Sequence, residues 1–451
     1  MSSRKPLFSL LLVAALAGGI WIVLSGNRPD ALPKDLDRVD PSSAFLNAEA
    51  SISYYREAIH RNPDAVEERA RLAHVLLQQA RSTGREAEFI PEARQLLEDA
   101  LALDPEHFYG LTLQASLFNT LHRFEDARDV SERLLERYPQ HAFAMGTLVD
   151  ALVELGEYEQ AVETADAMLA LRPGLPSYSR ASYLRELNGD TDGAIAAMTM
   201  AADAEPTGRE SRTWALYQLG NLYLADAKPD TAAFIFDGIL EERPDFIPAL
   251  TGLGHVALAK GDVDLAIARL EEARALSPRE AIDQLLVEAY TLTGDKNRAR
   301  DAANRVLEGL KNAREMGEIV DMEEADFLAD LGRDIPRALE LARGQLERRP
   351  GHLHANETFA WTLYKSGMAE EAVFYIEQAM RLNTGDAMVH YRAARIYEAA
   401  GQPADAAEHL QLALDAHLRI EGPSAAQDAE ALLAGLDQRG SAPVQVASTS
   451  R

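Results

Sequence analysis

Apolar residues recur along most of the chain at spacings of three and four, which is the pattern of amphipathic helices. The helical stretches are short and come in pairs, and several pairs are divided by a glycine followed by an aspartate: Gly189-Asp190, Gly261-Asp262 and Gly294-Asp295. Glycine supplies a left-handed cap for one helix, and aspartate starts the next. The pattern therefore predicts an all-α protein built from helical pairs.

These pairs recur with a fixed period. Prolines that end the second helix are spaced 34 residues apart. The spacing is seen first at Pro105, Pro139 and Pro173 and again at Pro244 and Pro278. An alanine lies twelve residues before each of them: Ala93, Ala127, Ala161, Ala232 and Ala266. A constant period of this length indicates stacked repeats. Such an array offers a long concave surface rather than a single catalytic pocket.

The strongest units are 213–246 and 247–280. In the first, Gly220 and Ala232 are small enough for paired helices to approach closely, while Tyr223 and Phe236 fill the space between units. A small residue, an aromatic three positions on, an alanine nine further on and a final proline resemble the tetratricopeptide repeat. The resemblance covers roughly 64–418, and the whole chain is similar to multi-repeat bacterial proteins of a membrane-anchored type. It implies a right-handed α-solenoid of about ten stacked helix-turn-helix units.

The N-terminus predicts a membrane anchor. Arg4 and Lys5 precede an apolar run over 7–24, which is as long as a membrane-spanning helix of about 17–25 residues. We expect residues 1–25 to form an uncleaved signal anchor, with the N-terminus in the cytoplasm and the repeats in the periplasm of a bacterium. In the alternative, cleavage at Ala15-Leu16-Ala17 releases a secreted or periplasmic protein.

The remaining domain boundaries follow from composition and from the 34-residue spacing of the prolines. Residues 26–44 are rich in Pro, Asp and Ser and predict a linker, 45–310 an N-terminal block of repeats, 311–436 a C-terminal block with a capping helix, and 437–451 a disordered tail. No proline stands at the expected position after Ala299, and the helical pattern continues until Asp321 starts a new unit. That stretch is the predicted joint between the two blocks.

Composition removes several classes of function. The formal net charge of -27, with no Lys/Arg run, argues against nucleic acid as a partner. We interpret the acidity first as a source of solubility, and the alternative is attraction of basic polypeptide segments. The chain has no cysteine, which excludes disulfides, thiol catalysis and cysteine-based zinc sites.

Motifs for catalysis are lacking as well. Gly252-Leu253-Gly254 imitates part of a dinucleotide fingerprint but falls on repeat positions, and no nucleophile elbow, P-loop or HExxH sequence occurs. His352 and His354 lie near a helix start without further ligands for a metal, so we expect surface imidazoles. We expect no enzyme activity, no catalytic residue, no cofactor, no metal and no small-molecule substrate.

The first helix of each tetratricopeptide pair lines the concave face, and this resemblance selects the candidate binding residues. They mix aromatic with polar side chains: Tyr183, Tyr217, Asn221, His255, Phe327, Trp361, Tyr364 and Arg395. Such a surface suits an extended or helical peptide, although the aromatic residues could instead pack between units. The prediction is a non-enzymatic scaffold for protein–protein interaction in the bacterial cell envelope. The alternative is a regulatory or substrate-recruiting subunit of a membrane-bound enzyme or a secretion complex.

Overall fold

The computed structural model describes residues 48–83, 85–382 and 385–441, and within those ranges it is all α-helical, with no strand. The first fifteen helices are α1 (Ala48–Arg61), α2 (Val66–Thr83), α3 (Glu86–Leu103), α4 (Phe108–Thr120), α5 (Phe124–Arg137), α6 (Ala142–Leu155), α7 (Tyr158–Leu171), α8 (Leu175–Leu187), α9 (Thr191–Asp203), α10 (Glu210–Ala225), α11 (Pro229–Glu242), α12 (Ile247–Ala259), α13 (Val263–Leu276), α14 (Glu280–Leu292) and α15 (Lys296–Glu315). Eight more follow: α16 (Asp321–Leu331), α17 (Ile335–Arg348), α18 (Leu353–Lys365), α19 (Ala369–Ala379), α20 (Ala387–Ala399), α21 (Pro403–Asp415), α22 (Leu418–Glu421) and α23 (Pro423–Ser441).

From α2 to α21 these helices form ten consecutive pairs, and each helix packs on its neighbours along the chain. The predicted all-α solenoid of stacked helical pairs is therefore confirmed. Helix α1 packs on α2 ahead of the first pair, and α23 packs on α21 beyond the last one. Helix α23 extends to Ser441, past the expected start of the tail at 437.

The turn within a pair has the geometry that the sequence predicted. Gly261 adopts a positive φ of 79°, and the Asp262 side chain accepts a hydrogen bond of 3.2 Å from the backbone N–H of Leu265. Asp190 and Asp295 cap α9 and α15 in the same way. The glycine reverses the chain because it has no Cβ to oppose a left-handed backbone, and the aspartate satisfies a free N–H group of the next helix.

Close packing between helices depends on small residues, also as predicted. The Phe236 ring is fully buried between Gly220 and Gly252, and a Cβ at either glycine would collide with it. Ala232 and Ala266 are fully buried at the equivalent position of successive pairs. One large ring therefore bridges two neighbouring pairs at a place where the adjoining helices have no side chains.

The regular stacking of helical pairs is interrupted where the expected proline is missing after Ala299. Helix α15 is the longest of the described helices, runs to Glu315, and makes few contacts with α16. The predicted boundary at 310 falls inside α15, so we define the N-terminal block as α1–α15 and the C-terminal block as α16–α23. Between the blocks, the backbone N–H of Ile319 donates to the carbonyl of Leu121 at 3.1 Å, which brings the chain back to α4.

The C-terminal block lies against the inner side of the N-terminal block. The backbone N–H of Leu353 donates to the Tyr158 hydroxyl at 3.0 Å, and the backbones of Gly156 and Gly351 are in direct contact. Farther along, Ser424 Oγ donates to Glu288 at 2.7 Å. The solenoid is therefore closed on itself, and this covering of its concave side was not predicted from the residue pattern.

The predicted signal anchor (1–25) and linker (26–44) lie outside the described residues, as does the tail beyond 441. Of the helices that the structure does describe, none combines the length and the apolar character needed to cross a bilayer. The anchor stays a prediction.

Candidate functional site

A hollow with two lobes remains where the two blocks face each other. The first lobe has a volume of about 390 Å³ and the second about 190 Å³, and both are bordered by Tyr183 of α8 and His354 of α18. The first lobe is lined by residues of both blocks: Asn119, His122, Phe124, Val149, Asp150, Val153, Glu154, Arg180, Tyr183, Leu184, Met322, Glu323, Arg349, His352 and His354. We refer to the two lobes together as the hollow.

Both arginines of the first lobe are held by carboxylates. Arg180 donates to Asp150 through two hydrogen bonds of 2.6 and 2.8 Å and also to the carbonyl of Gly146. Arg349 is buried and lies 3.5 Å from the Glu154 carboxylate across the block boundary. Burial raises the pKa of Glu154 and lowers the pKa of Arg349, since each charged group is removed from water. Their charges therefore compensate each other within the wall.

Three other side chains of this lobe bury a polar atom without a hydrogen-bond partner in the described residues: Asn119 Oδ1, Glu323 Oε2 and His352 Nδ1. The Asn119 amide nitrogen donates to the carbonyl of Thr147 at 2.9 Å, which leaves its oxygen free. Buried polar atoms without partners are rare in folded proteins. They mark places where a ligand or an ordered water would complete the wall.

The second lobe is acidic. Its border includes Glu186 of the N-terminal block and Glu357, Asp386 and Glu421 of the C-terminal block. Desolvation in the hollow raises the pKa of Glu186 and raises the pKa of Glu421 to about 8, and the nearby Asp386 adds to both effects. His354 offsets part of this charge, because its hydrogen bond with Glu357 raises the pKa of the imidazole to about 9.

Tyr183 is the predicted binding residue that the structure places in the hollow itself. Its side chain is 40% exposed, although it lies between the two blocks. Its hydroxyl makes no hydrogen bond to any residue that the structure describes. An aromatic ring with a free hydroxyl on the concave face is available for contact with a partner.

The other candidates of the N-terminal block have neighbours within the chain. His255 Nε2 lies 2.9 Å from the carbonyl oxygen of Ile420 in α22, so the C-terminal block occupies its position on the concave face. Tyr217 packs edge-on and tilted against Phe246 and Phe236, as in the alternative of packing between units. Asn221 is partly buried and donates to Gln218 at 3.2 Å.

Trp361, one of the predicted binding residues, is only 5% exposed, and its indole N–H donates to Asp330 at 2.7 Å. Its ring stacks on Tyr364 at 4.8 Å between centroids, and the Tyr364 hydroxyl accepts from Arg395 at 3.0 Å. Arg395 also pairs with Asp428. Replacing Trp361 by alanine would therefore disturb internal packing as well as any contact with a partner.

Phe327, also predicted to contact a partner, is partly buried and packs on a small cluster that contains Val306 and Leu310 of α15. Phe327 of α16 therefore helps to join the two blocks at the boundary between α15 and α16. Its place in a binding surface remains a prediction.

The C-terminal block contains a buried charge network that was not predicted from the sequence. The Arg392 guanidinium donates to Asp326 at 2.7 Å and to Glu357 at 2.8 Å, and it also reaches Asp330. These residues come from α16, α18 and α20, so no local spacing relates them.

The prediction of surface imidazoles at 352 and 354 is wrong for His352. Its side chain is only 2% exposed, because α18 begins at the boundary with the N-terminal block. Burial lowers the pKa of His352 well below its usual value, and the positive charge of Arg349 acts in the same direction. Across the described ranges, no group of three or more His, Asp or Glu side chains has the geometry for a metal ion.

Comparison with known proteins identifies the repeat. Residues 85–142 and 120–183 match two family models that are both described as tetratricopeptide repeat. A TPR repeat-containing protein of Pseudomonas aeruginosa is 30% identical over 201 residues, which is 44% of this chain and 33% of that protein. Cellulose synthase operon protein C of Pseudomonas fluorescens is 27% identical over 180 residues, which is 38% of this chain and 13% of that protein.

The chain thus spans a third or less of the length of these two relatives. A solved human IFIT1 dimer is similar with a TM-score of 0.46 and 18% identity, over 71% of this chain and 73% of that one. The family matches show that the chain contains tetratricopeptide repeats, as its residue pattern predicted.

Proposed function

We propose that this protein is a non-enzymatic scaffold that binds a segment of a partner polypeptide in the hollow between its two blocks. Tetratricopeptide repeats generally mediate protein–protein interactions, and a solenoid presents its inner surface to a partner. The observation that carries the proposal is Tyr183, which stands 40% exposed on the concave face with its hydroxyl free. His255, by contrast, is covered by the carbonyl of Ile420 and is not free to meet a partner.

Retention at a membrane is the second part of the proposal. The apolar run over 7–24 behind Arg4 and Lys5 would hold the repeats on the outer side of a bacterial inner membrane. In that position the scaffold would meet envelope proteins. Mass spectrometry of the mature N-terminus and fractionation of the cells test this part separately, since a soluble chain that begins after residue 17 would contradict it.

Site-specific photo-crosslinking tests binding in the hollow. p-Benzoyl-phenylalanine would replace Tyr183 in one variant and Phe374 in a matched one, because Phe374 is an exposed aromatic residue on the outer helix α19. We expect a polypeptide adduct from position 183 and none from position 374 when the cells are irradiated. Adducts from position 374 alone, with none from 183 in a folded protein, would contradict the proposal.

One comparison favours a second candidate function. The relative from Pseudomonas fluorescens is named for a cellulose synthase operon, and its match covers 38% of this chain. By analogy, the scaffold would recruit or regulate a membrane-bound synthase. Copurification of such an enzyme with the full-length protein, together with a change in its activity when Tyr183 is replaced by alanine, would support this function over a general scaffold.

A further inference from the structure

We infer that the first lobe of the hollow is a site for a cationic, donor-rich group, either the guanidinium of arginine or the ammonium of lysine, carried by the bound segment. This inference rests on the proposed function and specifies the chemistry of the partner. It is carried by the atoms of the first lobe that have no partner.

All three of these atoms act as hydrogen-bond acceptors. Asn119 Oδ1 is an amide oxygen whose amide nitrogen is already used by the carbonyl of Thr147 at 2.9 Å. Glu323 Oε2 is a carboxylate oxygen, while its Oε1 lies 3.4 Å from His122. A ligand that completes these positions must donate hydrogen bonds, which an anion cannot do.

The third acceptor is on His352. Its Nε2 faces the carboxylate of Glu154 at 3.6 Å, too far for a hydrogen bond but close enough for the negative charge to favour the tautomer that is protonated on Nε2, in which Nδ1 keeps its lone pair. The side chain is 2% exposed and borders the cavity, and Nδ1 has no partner in the described residues. An acceptor that is buried and unsatisfied is unfavourable in free energy, and a donor from the ligand would remove that penalty.

The charges of the lobe permit a cation despite its two arginines. Arg180 is neutralised by Asp150 and Arg349 by Glu154, so the carboxylate of Glu323 is left in excess. A cation in the first lobe therefore faces a surplus of negative charge, in a protein whose formal net charge is -27.

The rest of the wall suits the alkyl stem of such a side chain. Phe124, Val149, Val153 and Met322 line the same lobe. Lysine and arginine bury their methylene groups along apolar surface while the charged end reaches polar partners. The volume of about 390 Å³ is sufficient for one such side chain with its flanking backbone.

Calorimetric titration of the purified full chain tests this inference with three defined probes. One is a short acetylated and amidated Gly-Ser peptide that carries a single arginine, the second has citrulline in its place, and the third is free spermidine. Citrulline keeps the shape of arginine but lacks its charge. We expect the arginine peptide to bind about tenfold more tightly than the citrulline peptide, since a hydrogen bond with a charged group contributes that much.

Two variants place the effect in the lobe. Glu323→Gln replaces the free carboxylate oxygen by an amide of the same shape, and we expect it to weaken the arginine peptide about tenfold. Glu241→Gln removes one equal charge from an exposed position on α11 and should leave the affinity unchanged. Circular dichroism of both variants verifies that they are folded.

The outcomes separate this inference from the proposed function. Equal affinity for the arginine and citrulline peptides would overturn the cation site and leave peptide binding in place. Binding of spermidine alone, reduced by Glu323→Gln, would support the cation site and argue against a polypeptide ligand. Failure of all three probes to bind, or equal losses in the two variants, would overturn the cation site.

Discussion

His141 is a buried histidine whose environment favours the neutral imidazole. Its ring packs on Phe108 with 4.8 Å between centroids, and its Nδ1 has no partner among the described residues. Burial lowers the pKa of His141 from 6.5 to about 4. The unfolded chain binds the proton first as the pH falls, so stability that is complete above 6.5 is lost progressively toward pH 4.

We therefore expect His141→Phe to reduce the acid sensitivity of folding. A phenyl ring keeps the packing on Phe108 but cannot bind a proton, so near pH 5 the variant should retain about 2 kcal/mol that the wild type loses. Thermal unfolding near pH 7 and near pH 5 measures this difference. His60→Phe changes an exposed histidine on α1 and serves as the control. An equal loss in wild type and His141→Phe would show that His141 is accessible to water in the folded protein.

Individual residues also show what the repeat register can and cannot predict. The register placed Tyr183 and His255 on the concave face, and both side chains point away from their own helical pair. It could not predict that Ile420 covers one while the other remains exposed, because that depends on a segment 165 residues away. His352 was misjudged for the same reason, since its burial comes from the opposite block.

Helices pack at close range where Phe236 fits between Gly220 and Gly252, and this arrangement predicts an asymmetric effect of added methyl groups. Gly220→Ala would place a Cβ 2.4 Å from the Phe236 ring, and the ring is confined on its other side by Gly252, where an added Cβ would lie 2.6 Å from it. We expect a loss of about 1–3 kcal/mol in the free energy of unfolding, as for other overpacked cores.

The paired helix offers a matched control. Gly238 of α11 is exposed, and a Cβ there would meet no atom within 4 Å. Gly238→Ala should therefore stabilise the helix by about 0.5–1 kcal/mol. Urea unfolding of both variants measures the difference. Similar effects of the two substitutions would mean that Phe236 does not fill the space between the pairs.

At the scale of helices the sequence was informative because the determinants are local. Alanine and glycine at contact positions, an aspartate after a left-handed glycine and a proline after the second helix define each unit within its own residues. The joint at α15 was also visible, as a missing proline. The charge network of Arg392 was not visible, because its partners Asp326 and Glu357 come from two other helical pairs.

The arrangement of the whole molecule depends on contacts that connect distant repeats. Arg349 meets Glu154, the Leu353 backbone meets Tyr158, and Ser424 meets Glu288, each through one or two polar interactions. None of these interactions follows from the repeat pattern, which is the same whether a solenoid is open or closed. Closure also forms the hollow, because residues of both blocks line its two lobes.

Short-range crosslinking tests this closure most directly. The chain has no cysteine, so a pair can be introduced without background. Glu288→Cys with Ser424→Cys replaces side chains that lie 2.7 Å apart in opposite blocks. Glu241→Cys with Ser424→Cys is the control, because Glu241 is exposed on the outer helix α11.

A short bismaleimide should join the first pair within one chain and give a band of faster migration on a denaturing gel. The control pair should remain unlinked under the same conditions. Circular dichroism should show that both variants are folded. A closed solenoid predicts this difference between the pairs. Absence of the linked band from the folded 288/424 variant, or equal linking of both pairs, would contradict the claim that the C-terminal block covers the concave face.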